Sequence, residues 1–182
     1  MISKSKIIQQ PKNNKDVITI QPDVYYDNRR ENIETFSTKT YKEQQRSKNK
    51  KSPKFIVDSV SFSTKYTIRG LHGDHETYKL VQCLKGAIYV VVLDLREDSP
   101  TYKQHDAFYI NDKNRHQLLI PPGCVNGHLC LSDECIFHYK LSKEYVPIDK
   151  QLSITWNDPE YNIFWPVSYS NLILSDRDRG TF

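Results

Sequence analysis

The sequence predicts an all-β protein with a jelly-roll barrel and a concave face that can hold a ligand. Short apolar runs recur at a spacing of roughly ten residues after position 55, and Gly and Pro turns separate them. No helical period is sustained over three turns in this region. The 182 residues are enough to bury one good core. We therefore expect one domain over residues 1–182, with residues 1–16 as a flexible arm and a loop or short helical tail at the C-terminal end.

The strands are predicted from apolar runs. The clearest is Ala87–Leu93, an unbroken apolar run closed by Asp94, which is typical of a fully buried strand. Phe55–Ser63 alternates imperfectly between apolar and polar residues, as in a strand with one covered face. The other predicted elements are a short helix at Thr40–Gln45 and strands at Val17–Ile20, Ile68–Leu71, Lys79–Leu84, His105–Ile110, Arg115–Ile120, Val125–Leu131 and Cys135–Leu141.

Turns and loops complete the expected chain path. Asn111–Asn114 is predicted to be the hairpin turn between the two strands that flank it. Tyr25–Glu34 is too rich in charge to belong to the core. After Tyr145 the chain is loop-like, and Trp156 and Trp165 are expected to anchor it to the body.

The charge distribution does not indicate a nucleic-acid partner. The chain has 26 basic and 22 acidic residues and a net charge of +4. The excess is local, in the lysine-rich segments Lys4–Lys15 and Lys39–Lys54. Neither segment supplies the basic face with interleaved aromatic side chains, or the known motif, that nucleic-acid binding requires. Both are interpreted as solvated surface.

Composition also points to a reducing compartment and away from a membrane. No stretch of about 18 apolar residues exists, so we expect no membrane partner. The N-terminal residues lack the apolar core of a signal peptide, which predicts a cytoplasmic protein. The cysteines form no CxxC pair, so reduced thiols are favoured over disulfides or zinc ligands. They are Cys83, Cys124, Cys130 and Cys135.

The stretch from Thr67 to Gly86 carries the chemistry on which the functional hypothesis rests. Arg69, His72 and Lys79 fall within eleven residues between two predicted strands. A tight reversal there would bring His72 and Lys79 together on the inner surface of the barrel. A neutral imidazole accepts a proton, and an ammonium group stabilises the negative charge that results. The alternative at this point is a surface hairpin with ordinary charges.

An ordered set of motifs gives the chain a family resemblance from about residue 22 to residue 178. The motifs are Arg69-Gly70-Leu71-His72, Lys79-Leu80-Val81, Asp94-Leu95-Arg96, Ser99-Pro100-Thr101, Ile120-Pro121-Pro122-Gly123, Tyr139-Lys140, Tyr145-Val146-Pro147, Trp156-Asn157-Asp158-Pro159, Trp165-Pro166 and Leu174-Ser175 with Asp178. Together they resemble the nucleotide-sugar 3,5-epimerases, whose type member is dTDP-4-dehydrorhamnose 3,5-epimerase. The resemblance implies a cupin-type jelly roll, a homodimer, a nucleotide-sugar substrate, and neither a metal nor another cofactor.

The resemblance also implies a role for each catalytic residue. His72 matches the general base that removes a proton beside the carbonyl of a 4-keto sugar, and Asp178 matches the carboxylate that holds this imidazole. Tyr139 matches the acid that returns a proton to the opposite face. Lys79 matches the group that stabilises the enolate oxygen, and Arg69 matches a support for that oxygen or the diphosphate. Taken singly, Asp178 is better interpreted as part of the surface of the tail, and Tyr139 fits a structural core position as well as a catalytic one.

Further positions match substrate-binding residues of the family. Arg29 and Glu34 match two positions of the segment through which the family contacts the nucleotide. Arg29 is expected to act in the site of its own chain or in that of a partner subunit. Asn126 and Tyr145 are the other two implied substrate contacts. The remaining histidines match no family role and are interpreted as structural or surface residues, although His128 and His138 lie close to motif positions and are candidates for lining the cavity. These remaining histidines are His75, His105, His116, His128 and His138.

Departures from the family pattern indicate a narrower function. Asn126 replaces a second active-site histidine and Val90 replaces an aspartate, which makes inversion at one carbon alone an alternative to inversion at C3 and C5. Arg30 and Val57 replace a glycine and a glutamine near the base pocket, and the loop after His72 is short. These features resemble the branch acting on GDP-linked 4-keto-heptoses in capsule synthesis, with a dTDP-4-keto-6-deoxyhexose as the competing substrate.

Three other functions stay open at this point. A 3,4-ketoisomerase of the same jelly-roll type would move the keto group, but Tyr139 and Asp178 match the epimerase pattern. A metal-dependent cupin oxygenase needs two histidines separated by one residue, whereas two residues separate His72 from His75. A non-catalytic sugar-binding cupin is the third alternative.

Overall fold

The structure, a computed structural model, describes residues 2–3, 6–9, 11–39, 41 and 53–179. These residues form β-strands, two short 3₁₀ helices, at Ile148–Lys150 and Tyr169–Asn171, and helical backbone at residues 38, 39 and 41. In chain order the strands are β1 (Ile2–Ser3), β2 (Lys6–Gln9), β3 (Ile18–Gln21), β4 (Asp23–Asp27), β5 (Arg30–Glu34), β6 (Val57–Thr64), β7 (Ile68–Gly73), β8 (Lys79–Lys85), β9 (Ala87–Asp94), β10 (His105–Asn111), β11 (Gln117–Ile120), β12 (Cys124–Cys130), β13 (Glu134–Leu141) and β14 (Leu152–Ser153).

Two large antiparallel sheets make the barrel, which confirms the all-β jelly-roll prediction. One sheet has the strand order β10-β9-β12-β7-β14 and the other has β2-β3-β11-β8-β13-β6. A small third sheet contains β1-β4-β5. From β7 to β13 the chain passes between the two large sheets several times, as a jelly roll requires. The walls of the barrel therefore come from strands that are distant in sequence.

The predicted hairpin at Asn111–Asn114 is wrong, although both flanking strands exist. β10 pairs with β9, whereas β11 pairs with β3 and β8 in the other sheet. The turn carries the chain from one sheet to the other. Gly86 does the same between β8 and β9. Apolar runs locate strands, but a turn of a few residues does not show whether its two strands pair or face each other.

The strand β9 shows why an unbroken apolar run marks the centre of this fold. Ile88, Val90 and Val92 lie in the core between the two large sheets. Val91 and Leu93, on the opposite face of β9, pack in a second cluster with the C-terminal segment. Because alternate residues of a strand point to opposite faces, a strand covered on both sides must be apolar throughout.

The C-terminal segment is anchored by its two tryptophans, as the sequence predicts. Trp156 and Trp165 are buried in the second cluster, and Trp165 Nε1 donates a hydrogen bond to the carbonyl oxygen of Trp156 at 2.8 Å. All four cysteines are buried and free, which agrees with the expectation of reduced thiols. Among the described residues, no helix is long and apolar enough to cross a membrane.

The N-terminal part contains structure that the sequence did not reveal. The charged stretch Tyr25–Glu34 forms most of the β4–β5 hairpin. The described residues of segment 1–16 include β1 and β2, which pair with β4 and β3. The backbone nitrogen of Asn14 also donates to Asp106 Oδ2 at 2.8 Å. Apart from Tyr41, the helix predicted at Thr40–Gln45 lies outside the described residues.

A buried carboxylate explains why Asp94-Leu95-Arg96 and Ser99-Pro100-Thr101 occur together. Asp94 is fully buried and accepts hydrogen bonds from Arg96 Nη2 at 2.7 Å, Ser99 Oγ at 2.6 Å and Thr101 Oγ1 at 2.7 Å. Burial alone would raise the pKa of Asp94, but these hydrogen bonds hold it far below its ordinary value. The network fastens the loop after β9 to Asn14 of the N-terminal segment.

Replacing Asp94 by Asn is expected to lower the free energy of unfolding by about 1–3 kcal/mol, because Arg96 would lose its fully buried partner and keep only its ion pair with Asp16. Urea denaturation at neutral pH measures the change. The contribution is complete above the ordinary carboxyl pKa and is lost as pH falls toward the lowered folded-state pKa. The exposed Asp98→Asn variant is the control, with an expected change within about 0.5 kcal/mol. A similar loss of stability in both variants would contradict the stabilising role of the buried Asp94 carboxylate.

Candidate active site

A cavity of about 340 Å³ opens between the two large sheets. Its walls come from β6, β7, β8, β12 and β13, and the segments after β13 complete its rim. The inner lining is made of buried residues, whereas the outer lining carries exposed and charged ones. The buried lining includes Thr77, Val81, Asn126, His128 and Phe137, and the rim includes Arg69, Glu144, Tyr145 and Arg177.

The geometry of β7 places both Arg69 and His72 at the cavity, although residues three apart in a regular strand face opposite sides. Two irregularities allow it. Gly70 has φ +114°, and the pairing of β7 with β12 shifts register between Asn126 and His128. A Cβ at Gly70 would lie 2.6 Å from the carbonyl oxygen of Asn126. Glycine is therefore required between the arginine and the histidine.

His72 is held by a buried carboxylate at the end of the described chain. Its Nε2 lies 3.0 Å from Asp178 Oδ1, and Asp178 also accepts a hydrogen bond from Ser175 Oγ at 2.8 Å. Burial acts to raise the pKa of Asp178, but the hydrogen bonds from His72 and Ser175 hold it below its ordinary value. An ionised carboxylate only accepts hydrogen bonds, so a neutral His72 carries its proton on Nε2 and its lone pair on Nδ1.

The other side of the His72 ring contacts residues that the sequence analysis did not identify. His72 Nδ1 lies 2.9 Å from Ser153 Oγ on β14. Arg177 Nη2 donates to the same hydroxyl at 2.8 Å and to Gln151 Oε1 at 2.9 Å. The Ser153 hydroxyl therefore donates to Nδ1 and occupies the lone pair that a general base would use. No motif marks these residues, because they come from the irregular C-terminal segment.

Lys79 lies against His72, which confirms the proximity predicted from the sequence. Its Nζ donates to the backbone oxygen of His72 at 2.7 Å and to Asn126 Oδ1 at 2.9 Å. Desolvation in this enclosed position lowers the pKa of Lys79 to about 8. The two strands that carry these residues belong to opposite sheets, so the ammonium group reaches across the barrel. It presents a positive charge to whatever the cavity holds.

Tyr139 lines the cavity from β13, in the sheet opposite the one that carries His72. Its hydroxyl lies 2.6 Å from the hydroxyl of Tyr145 at the rim. Burial, followed by the contact with Tyr145, raises the pKa of Tyr139 to about 12. The phenol therefore keeps its proton near neutral pH and is able to donate it. A potential base and a potential acid thus face the cavity from different walls.

The predicted substrate-binding residues separate into two groups. Arg69, Asn126 and Tyr145 all line the cavity. Arg29 and Glu34 do not; both belong to the β4–β5 hairpin region, and Arg29 is about 90% exposed and paired with Asp27. The structure of one chain therefore does not bring the proposed nucleotide contacts to its own cavity.

These features define a class of protein. A cupin-type jelly roll carries a histidine–aspartate pair, an enclosed lysine and a protonated tyrosine around one cavity, which is an arrangement for proton transfer. The family profile described as dTDP-4-dehydrorhamnose 3,5-epimerase matches residues 12–182. The chain belongs to this family and is an isomerase-class enzyme, a nucleotide-sugar 3,5-epimerase.

Relatives and solved structures agree with this assignment. The dTDP-4-dehydrorhamnose 3,5-epimerase of Methanothermobacter thermautotrophicus is 38% identical over 166 residues, which cover 90% of this chain and 86% of the relative. A crystal structure of the Legionella pneumophila 3,5-epimerase in complex with dTDP-4-keto-L-rhamnose has a TM-score of 0.87 at 31% identity, covering 97% of this chain and 91% of that one. The Bacillus anthracis enzyme, with TDP and pyrophosphate bound, has a TM-score of 0.85 at 36% identity and covers 97% of both chains.

Proposed function

We propose that the protein inverts C3, C5 or both in a nucleoside-diphosphate 4-keto sugar, by proton abstraction through an enolate. The observation that carries this proposal is the cavity itself. The pair formed by His72 and Asp178 lies on one wall, Tyr139 lies on the other, and Lys79 contacts the backbone of the histidine. A carbonyl at C4 acidifies the hydrogens on both neighbouring carbons, and the same groups serve either carbon.

The proposed reaction moves two protons and leaves the bonds between carbons intact. His72 Nδ1 takes a proton from C3 or C5, the electron pair of that C–H bond forms a double bond to C4, and the π pair of the C4 carbonyl moves onto its oxygen. Lys79 stabilises the resulting enolate, and Tyr139 donates its proton to the opposite face of the carbon. The imidazolium then loses its proton and the phenolate regains one through solvent. Substrate must displace the Ser153 hydroxyl from Nδ1 before the first step.

Two nucleotide sugars compete as substrate. The relatives are named for dTDP-4-dehydrorhamnose, and the Legionella enzyme binds dTDP-4-keto-L-rhamnose, which supports a dTDP-4-keto-6-deoxyhexose. Arg30 and Val57, which depart from the family pattern, favour a GDP-4-keto-heptose of capsule or surface polysaccharide synthesis. Asn126 supports inversion at one carbon only, since an amide does not relay a proton as an imidazole does.

Proton NMR in D₂O tests the proposal. The protein is incubated separately with a GDP-4-keto-heptose and a dTDP-4-keto-6-deoxyhexose, and deuterium is followed at C3 and C5. The proposal expects exchange with at least one of these substrates, and the faster one identifies the preferred nucleotide sugar. Exchange at C3 alone would assign a single inversion. No exchange with either sugar would overturn the enzymatic proposal and leave a non-catalytic binding protein.

The exposed β4–β5 hairpin supports a homodimer as part of this proposal. Arg29 lies on that hairpin, away from the cavity of its own chain. We propose that it contacts the nucleotide in the site of a second copy. Light scattering at working concentration should give the mass of a dimer, and a monomeric mass in an active preparation would refute this arrangement.

The pKa of Lys79 predicts the pH dependence of the reaction. Because this pKa is about 8, Lys79 is an ammonium ion below pH 8 and becomes neutral as pH rises through that value. The turnover number should therefore fall above about pH 8, since a neutral amine stabilises an enolate poorly. Tyr139 keeps its proton in this range. The Lys79→Arg variant should be slower but should lack the alkaline fall. A constant wild-type rate from about pH 7 to pH 10 would contradict the role of Lys79.

A further inference from the structure

We propose that the floor of the cavity contains a second polar subsite, formed by Ser61, Phe137 and His128, which binds a hydroxyl group on the C5 substituent of the sugar. This inference rests on the proposed function, because it specifies which sugar the epimerase accepts. It assigns a role to His128, which matches no family role and is expected from the sequence to be a structural or surface residue that is also a candidate for lining the cavity.

Two side chains at this floor have polar atoms without partners. His128 is 3% exposed and lines the cavity, and its Nε2 has no hydrogen-bond partner in the part of the chain that the structure describes. Ser61 lines the same cavity, and its buried Oγ also lacks a partner among the described residues. Buried polar atoms are nearly always satisfied in folded proteins, since leaving one unsatisfied is costly. The two orphaned atoms indicate a polar group of a ligand.

The same residues form one continuous surface with an apolar centre. The rings of His128 and Phe137 are stacked, with centroids 4.0 Å apart and an interplanar angle of 17°. Ser61 is the direct cross-strand neighbour of Phe137 between β6 and β13, so their side chains leave the sheet on the same face. The surface suits a short chain whose carbon atoms lie against Phe137 and whose hydroxyl bonds to the residues beside it.

The charge state of His128 fits this ligand. Burial, followed by the positive charge of Arg69, lowers the pKa of His128 to about 3. The imidazole is therefore neutral at physiological pH and offers one donor and one acceptor. A hydroxyl group likewise both donates and accepts, whereas a methyl group would leave the imidazole and the serine unsatisfied.

The expected orientation of the sugar brings its C5 substituent to this surface. The nucleoside diphosphate is attached at C1 and must extend toward the open rim, where Tyr145 and Arg177 lie. C4 lies directly across the pyranose ring from C1 and therefore points inward, and C5 with its substituent is bonded to C4. Lys79, which donates a hydrogen bond to Asn126, is expected to contact the C4 oxygen. His128 is two residues further along β12, about 6–7 Å away on the same face, where a group on C5 would reach it.

Two GDP-linked 4-keto sugars that differ only at C5 test the proposal. One carries a methyl group, as in a 6-deoxyhexose, and the other carries a hydroxyethyl group, as in a 6-deoxyheptose. Deuterium exchange in D₂O gives kcat/KM for each. We expect the wild-type enzyme to favour the hydroxyethyl sugar by at least about tenfold, because a single orphaned hydrogen bond is worth this much or more. His128→Phe and Ser61→Ala should each reduce that preference about tenfold.

Two features make the result decisive. His128→Phe preserves the aromatic stack and Ser61→Ala removes one atom, so at least one variant should fold, which thermal unfolding checks. His105→Phe, on β10 outside the cavity, is the matched control and should keep the wild-type preference. Exchange with no wild-type preference, or a preference unchanged in both subsite variants, would overturn the subsite and leave the epimerase standing. Absence of exchange with these and with the dTDP sugar would overturn the proposed function and the subsite together.

Discussion

Replacing His72 by Asn is expected to reduce epimerisation by about 10³-fold or more, the range reached when a general base is removed. Asparagine retains a hydrogen-bonding group beside Asp178 but has no basic nitrogen. The loss should appear in kcat, because the nucleotide and the sugar keep their other contacts. Product formation measured by NMR or by a coupled reductase gives the rate.

The control for this variant is His75→Asn. His75 is exposed, three residues further along the chain, and outside the cavity. Its replacement should leave the rate within about twofold of wild type, in line with substitutions remote from the chemistry. If both variants were equally active, proton abstraction by His72 would be refuted. If circular dichroism showed that His72→Asn does not fold, Asp178→Asn would test the same pair. An amide at position 178 would favour the other tautomer of His72 and leave its base nitrogen protonated.

Replacing Tyr139 by Phe is expected to separate proton exchange from inversion. Without the phenol, no acid remains on the second wall, so inversion should fall by about 10²–10⁴-fold. His72 is still able to remove a proton, exchange it with solvent and return a deuteron to the same face. Deuterium should therefore continue to enter the sugar with its configuration retained. NMR coupling constants distinguish retention from inversion in the same sample.

Tyr109→Phe is the matched control for this substitution. Tyr109 is exposed on β10 and lies outside the cavity, so loss of its hydroxyl should change neither exchange nor inversion. Normal inversion by Tyr139→Phe would show that another group supplies the second proton. Loss of exchange together with inversion would place Tyr139 in the first proton transfer, contrary to the proposal.

The sequence predicted the central strands well because β9, β11 and β12 are buried on both faces. β9 is an unbroken apolar run, since one face meets the opposite sheet and the other meets the C-terminal segment. The pairing of the strands was harder to predict from the sequence. The turn at residues 111–114 has ordinary turn residues, but only the tertiary structure shows that it links the two sheets. The β4–β5 hairpin was missed because its residues are charged and largely exposed.

The site was predictable to the extent that its residues lie in recognisable motifs. His72 and Lys79 are close in sequence and on opposing strands, so their contact could be expected. Asp178 was implied by the family resemblance alone, because it is 106 residues from the histidine that it holds. Ser153 carries no motif and contacts His72 only through the fold of the tail. The position of His128 on the cavity wall was predictable from the sequence, since it is two residues after Asn126 and alternate residues of a strand share a face.

One measurement tests the central claim most directly: the mass of a 4-keto nucleotide sugar after incubation in D₂O with the wild-type enzyme and with His72→Asn, side by side. Proton transfer through this cavity predicts that the wild-type enzyme adds one or two deuterons and that the variant adds none above the rate without enzyme. Equal deuterium gain with both proteins would contradict the claim, because the exchange would then not depend on His72.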